Sequence, residues 1–238
     1  MSNGRHQVSR KLSLLVLGSL VATAAAADDD LDRVLARFDD VQGSIQSLSA
    51  DFTLTTTNQL LLDPIAAQGR FYMTKPDSIR WEYSQPEEMR FVIFGDQYTG
   101  FFPEQKRAER KNIQRWREHI FRFFGFGQGT SELRKFYDIS LDPDHDPSNG
   151  TYLLILEPSK KRVRKRIPEV RFWVDRTSYL PAKVEYVNQN GNTSLLELRH
   201  IQVNPDLAAS TFQVEVPRDF KVTKGFSGLP DFDTSSGE

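Results

Sequence analysis

Several groupings in this 238-residue chain combine residue types that elsewhere do chemistry. Asp142, Asp144 and Asp146 stand at the spacing of the first three ligands of a calcium loop, where alternate carboxylates converge on one hard cation. The sixth position of such a loop needs glycine for its sharp turn and the twelfth a bidentate glutamate; here they are Pro147 and Leu153. The triplet therefore reads as a solvated turn. Gly225-Phe226-Ser227-Gly228 is one residue short of the glycine-flanked serine of a nucleophile elbow, and it follows the last apolar run instead of joining a strand to a helix. It reads as part of a flexible tail. Of the four histidines, His6 is near the N-terminus, and His119, His145 and His200 fall in a helix, a loop and a strand without the short spacings of a zinc site. No phosphate loop or dinucleotide fingerprint is present, so an enzyme is not expected, nor a metal or any other cofactor.

The chain contains no cysteine, which excludes disulfides, thiolate metal sites, a cysteine nucleophile and an acylated N-terminal cysteine. Six cations crowd Lys160, Lys161, Arg162, Arg164, Lys165 and Arg166 between two predicted strands. They read either as a solvated hairpin tip or as a patch for an acidic partner or anionic headgroups.

The elements that position these residues begin with a leader. Arg5, Arg10 and Lys11 precede an apolar run from Leu12 to Ala27 that ends in Ala25-Ala26-Ala27 before Asp28, the pattern of a cleavable export signal. The run falls short of the ~20 residues a spanning helix needs. Residues 1–27 are thus read as a signal peptide cut after Ala27, 28–224 as one domain and 225–238 as a loose tail. The exported form keeps 28 basic and 32 acidic residues, a formal net charge of −4, so nucleic acid is not an expected partner.

From Leu31 to Leu48, Leu31, Val34, Leu35, Phe38, Val41, Ile45 and Leu48 recur at helical spacing, which predicts one amphipathic helix over Asp30 to Leu48 with Asp28 to Asp30 capping it. From Ala50 the period becomes two: Phe52 and Leu54, Phe71 and Met73, then Ile79, Trp81 and Tyr83, with Phe91 in the next strand. Asp63-Pro64, Lys75-Pro76-Asp77, Gln85-Pro86 and Gly95-Asp96 separate these runs as turns. Further strands are predicted at 136–141, 152–157, 170–175, 182–187 and 194–203, with a short one at 212–216. Such short connections favour an antiparallel meander. The interruption at 113–126 places Trp116, Ile120, Phe123 and Phe124 on one helical face, either a core helix or a lid over an apolar cavity.

The strands carry a family resemblance. Ala50-Asp51-Phe52-Thr53, Gln68-Gly69-Arg70-Phe71-Tyr72-Met73, Lys75-Pro76-Asp77-Ser78-Ile79-Arg80-Trp81-Glu82-Tyr83, Gln85-Pro86 and Gly95-Asp96-Gln97-Tyr98 follow the order and spacing of the outer-membrane lipoprotein carrier family, the LolA type. The likeness continues more loosely through Leu156-Glu157-Pro158, Val174-Asp175, Leu180-Pro181, Asn190-Gly191-Asn192 and Pro217-Arg218-Asp219-Phe220.

The resemblance implies a mainly β (α+β) fold: an incomplete antiparallel β-barrel, a curved sheet with a helical lid on its concave face. It implies a periplasmic carrier that is loaded with acylated lipoproteins by an inner-membrane exporter and unloaded by an outer-membrane receptor, and a monomer is expected. Period-two alternation in the matching strands puts Phe52, Leu54, Phe71, Ile79, Trp81, Tyr83 and Phe91 on the acyl-chain face. Trp116, Ile120, Phe123 and Phe124 would close over it with Leu35 and Phe38. Where known carriers have an arginine that hydrogen-bonds the lid, this chain has Lys75, which can donate to lid carbonyls but lacks the planar fork. A carrier of another acylated lipid or glycolipid would present the same cavity, and a lipoprotein-sensing regulator is the alternative from a different class.

Overall fold

In the computed structural model, residues 22–58, 63–115, 129–165 and 167–227 are described, with backbone alone for 22–29 and Pro147. One helix, α1 (Ala22–Ser44), precedes a twelve-stranded sheet. The strands are β1 (Ser47–Thr57), β2 (Ile65–Thr74), β3 (Ser78–Gln85), β4 (Met89–Phe94), β5 (Gln97–Phe102), β6 (Arg107–Asn112), β7 (Tyr137–Leu141), β8 (Thr151–Pro158), β9 (Glu169–Asp175), β10 (Pro181–Val187), β11 (Thr193–Val203) and β12 (Lys221–Thr223). Two helical turns interrupt the second half, α2 (Thr130–Leu133) and α3 (Lys161–Arg164).

The sheet order is β12-β6-β5-β4-β3-β2-β1-β11-β10-β9-β8-β7. Two antiparallel meanders are therefore joined where β1 lies beside β11, Phe52 opposite Leu198 and Leu54 opposite Leu196. Its end strands are β12 and β7, so the sheet is open, and the right-handed twist of its strands curves it around α1. Among the described strands only β12 runs parallel to its neighbour, β6. This is the mainly β, incompletely closed architecture expected.

Alternation sorts the side chains between the two faces. Leu48, Ala50 and Phe52 of β1, Phe71 and Met73 of β2, Ile79 and Trp81 of β3, and Phe91 and Ile93 of β4 are all buried on the concave face. The helix turns Val34, Leu35, Phe38 and Val41 toward that face and leaves Arg33, Arg37 and Asp40 in water. At ~1.5 Å per residue its length is about 34 Å, enough to pass over both meanders.

The helix boundaries differ from the sequence expectation. Asp28 to Asp30 lie inside α1 instead of capping it, because the helix begins at Ala22. It stops at Ser44, so Ile45 lies in the link and Leu48 on β1. The stop is made by Asn204, whose side-chain oxygen accepts the Gln46 and Ser47 amides at 2.7 and 3.2 Å while its amide donates to the Ser44 carbonyl at 3.1 Å. Leu48 stays buried because helical and strand periods both turn it inward.

The end of the chain differs too. Residues 212–216 form no strand: Phe212 closes a 3-10 turn (Ala209–Phe212), is buried, and packs on β3 and β4 where Arg80 donates to the Thr211 carbonyl at 3.0 Å. Phe220 then stacks on Phe101 at 5.2 Å before β12 pairs with β6. Val92 and Phe101 alternate away from Phe91 and Phe102, so this segment covers the convex face.

Candidate functional site: an apolar face under one helix

The seven residues predicted to line an apolar face meet in one cluster. Phe71, Trp81 and Phe91 are consecutive cross-strand partners, and Phe52 and Tyr83 both face Gly69. A Cβ at Gly69 would overlap the Glu82 carbonyl, so only glycine lets the backbones close enough for the two rings to meet across it. The Phe52 centroid lies 4.7 Å from that of Trp81 and 4.9 Å from that of Tyr83, and the Tyr83 ring lies 5.6 Å from Phe91. Edge-to-face pairs of this kind add about 0.5–1.5 kcal/mol each beyond the area they bury. Burial pushes the Tyr83 phenol up to about 12, so it stays neutral throughout the physiological range. Leu54 is partly buried against the same cluster, and Ile79 is fully within it.

A second cluster continues the face across β8 and β9: Leu154, Leu156, Val170, Phe172 and Val174, covered by Leu35 and Phe38 of α1. The Phe38 and Phe172 rings meet edge-on at 5.8 Å. These strand residues were not among the predicted lining, although the alternation in β8 and β9 marks them. Of the predicted lid, Leu35 and Phe38 therefore lie over the second meander. Trp116, Ile120, Phe123 and Phe124 lie outside the described residues.

Lys75 is joined to α1. Its ammonium donates to the Gln42 carbonyl at 3.0 Å and its amide to the Gln46 carbonyl at 2.8 Å. A cation at the last turn of a helix satisfies an otherwise open carbonyl and opposes the negative end of the helix dipole. Partial burial lowers its pKa. Farther along, Asp39 accepts the Thr130 amide and hydroxyl at 2.5 and 2.7 Å, which ties α1 to α2.

Among the described residues, one charged group is buried on the apolar face. Glu109 of β6, opposite Gly100, is 5 % exposed. It accepts the Ser227 amide at 2.8 Å and hydroxyl at 2.6 Å and pairs with Arg107, whose guanidinium lies 3.7 Å from the Phe102 ring centroid. Of the segment expected to be a loose tail, Gly225 to Ser227 is thus seated on the sheet, and residues 228–238 lie outside the described residues.

The convex face is polar. Arg199, Asp51, Arg70, Glu82 and Arg90 are successive cross-strand neighbours with alternating sign, and all but Arg90 line part of a recess of about 670 Å³ together with His200, which lies 2.8 Å from Asp51. The charges pair among themselves, Arg90 with Glu82 at 3.0 Å and Arg70 with Asp51 at 3.5 Å. Among the described residues no group of three metal-ligating side chains occurs, and no helix is long and apolar enough to cross a membrane. Asp142 accepts the Asp144 amide and Asp146 the Ser148 amide, as in ordinary polar turns. The basic turn α3 is exposed throughout, Arg164 donating to the Pro158 carbonyl at 2.8 Å.

Comparison with known proteins adds four findings. The family model described as "Outer membrane lipoprotein carrier protein LolA" matches residues 43–215. An outer-membrane lipoprotein carrier protein of Bordetella avium is 27% identical over 222 residues, covering 92% of this chain and 99% of its own length. One from Pseudoalteromonas translucida is 25% identical, covering 90% and 96%. Among solved structures, a LolA superfamily protein from Nitrosomonas europaea aligns over 77% of this chain and 97% of its own, at 13% identity and a TM-score of 0.40.

Proposed function

The chain belongs to the outer-membrane lipoprotein carrier family, and we propose that it receives the acyl chains of lipoproteins from an inner-membrane exporter, holds them on the concave face beneath α1, and yields them to an outer-membrane receptor. The observation that carries this reading is the unbroken apolar face from Phe91 to Phe172, roofed by one helix tied to the sheet at Lys75 and Asn204. Keeping one sixteen-carbon chain out of water contributes on the order of 10 kcal/mol, at ~0.8 kcal/mol per methylene. No acylated protein crosses an aqueous compartment freely against such a term.

The face is filled by the protein's own side chains, so loading exchanges one set of apolar contacts for another. Phe38 and Leu35 leave the sheet as acyl carbons arrive, and the net change is small enough to reverse at the receptor. The mature chain would begin at Asp28 and work as a monomer in the periplasm.

Trp81→Glu tests the reading. The variant should lose more cargo than stability: fewer of the acylated lipoproteins that co-purify with the wild-type periplasmic protein by mass spectrometry, out of proportion to any loss in urea unfolding. Wild-type levels of acylated cargo on this variant would remove the concave face from the function.

A further inference from the structure

We infer that the apolar face contains a further acyl-chain subsite at its β5–β6 end, and that Phe226 of the same chain occupies this subsite until cargo displaces it. The inference rests on the carrier reading and adds a competitor built into the chain. After β12 the backbone leaves the sheet edge and crosses onto the concave face at Gly225, where an added Cβ would lie 2.5 Å from the Glu109 carboxyl carbon. A larger residue there would have to push the Glu109 side chain aside. Phe226 then packs against the cluster that holds Trp81 and Phe91, its ring 4.6 Å from Tyr98 and 5.4 Å from the Lys111 ammonium.

The surface beneath is continuous with the face already described, because Phe102 meets Phe91 at 5.7 Å and Tyr98 and Ile113 are fully buried beside it. An acyl chain extended along Tyr83 and Phe91 reaches Phe226 next.

The manner of attachment marks this ring as removable. Phe226 is only partly buried, Ser227 is exposed, and the segment is fastened by polar bonds: Ser227 to both oxygens of Glu109, and the Tyr98 hydroxyl to the Ser227 carbonyl. On release the Ser227 groups, already at the surface, bond to water, and Glu109 keeps Arg107 as its partner. What release exposes is apolar surface of the size and kind an acyl chain covers.

Binding of a fluorescent hexadecanoyl probe to the full mature protein decides the matter. Removing a competitor raises apparent affinity by the inverse of the fraction of sites it leaves open, so with about nine-tenths of sites blocked Phe226→Ala should bind the probe about tenfold more tightly than wild type. In wild type, saturating probe should speed hydrogen exchange at the Phe226 and Ser227 amides while β1 to β4 stay protected, a readout that does not depend on any variant folding. Equal or weaker binding by Phe226→Ala, or tail amides that stay protected at saturation, would make Phe226 an ordinary core residue and leave the carrier reading standing. Failure of wild type and variant alike to bind the probe would overturn both.

Discussion

Ser227 donates its amide and its hydroxyl to opposite oxygens of Glu109, a residue 118 positions earlier in the chain. Burial pushes the Glu109 carboxyl up, but the two bonds from Ser227 and the Arg107 guanidinium outweigh burial and hold its pKa below the ordinary 4.5. A carboxylate depressed in the folded state stabilises that state fully above its unfolded pKa, and the contribution fades as pH falls through the folded value. Attachment of the tail should therefore be complete at neutral pH and lost in acid.

Acid release is checked by nuclear magnetic resonance of the Tyr98 and Phe226 rings. Below pH 4.5 their signals should shift reversibly while those of β1 to β4 hold, and Glu109→Gln should show no such step. Ring signals that respond to acid identically in wild type and Glu109→Gln would contradict the assignment.

At the end of α1, Lys75→Leu removes the ammonium bond to the Gln42 carbonyl. The expected loss is about 1 kcal/mol, since the group is only partly shielded from water. Hydrogen exchange should accelerate in the last turns of α1 and not in β1 to β4. If α1 protection is unchanged, Lys75 has no part in holding the helix.

Asn204 stands at φ +56, a left-handed conformation that asparagine and glycine tolerate, and its side chain bonds three backbone groups around the end of α1. Asn204→Ala adds backbone strain to the lost bonds and should cost about 2–3 kcal/mol. Asn204→Gly keeps the conformation and should cost less. Urea unfolding that ranks the two variants in the reverse order would show that the left-handed conformation puts no strain on alanine at this position.

Phe38→Ala empties a fully buried site over Phe172 and should cost about 3–5 kcal/mol if α1 and the sheet unfold together. Under the carrier reading α1 separates from the sheet more readily than the strands separate from each other. Most of the loss should then appear as faster exchange in α1. Uniform loss of protection in α1 and in β8 and β9 would mean that the helix does not move independently.

Period-two alternation is a local property, so the sequence by itself placed Phe52, Leu54, Phe71, Ile79, Trp81, Tyr83 and Phe91 on one face, and the structure packs them together. The helical period of Leu31 to Ile45 was legible for the same reason. What the sequence did not contain is whatever depends on residues far apart in the chain. The stop of α1 at Ser44 is set by Asn204, 160 residues away, and a local pattern ran the helix on to Leu48 because either period buries that residue. Strand β6, Arg107-Ala108-Glu109-Arg110-Lys111-Asn112, has no apolar alternation to read and exists because β5 and β12 pair with it. Glu109 therefore reads as one more surface charge, and Gly225 to Ser227 as an unattached tail. Only the tertiary structure brings them together, because a carboxylate can be buried on an apolar face only where donors arrive to satisfy it, and these donors come from the other end of the chain.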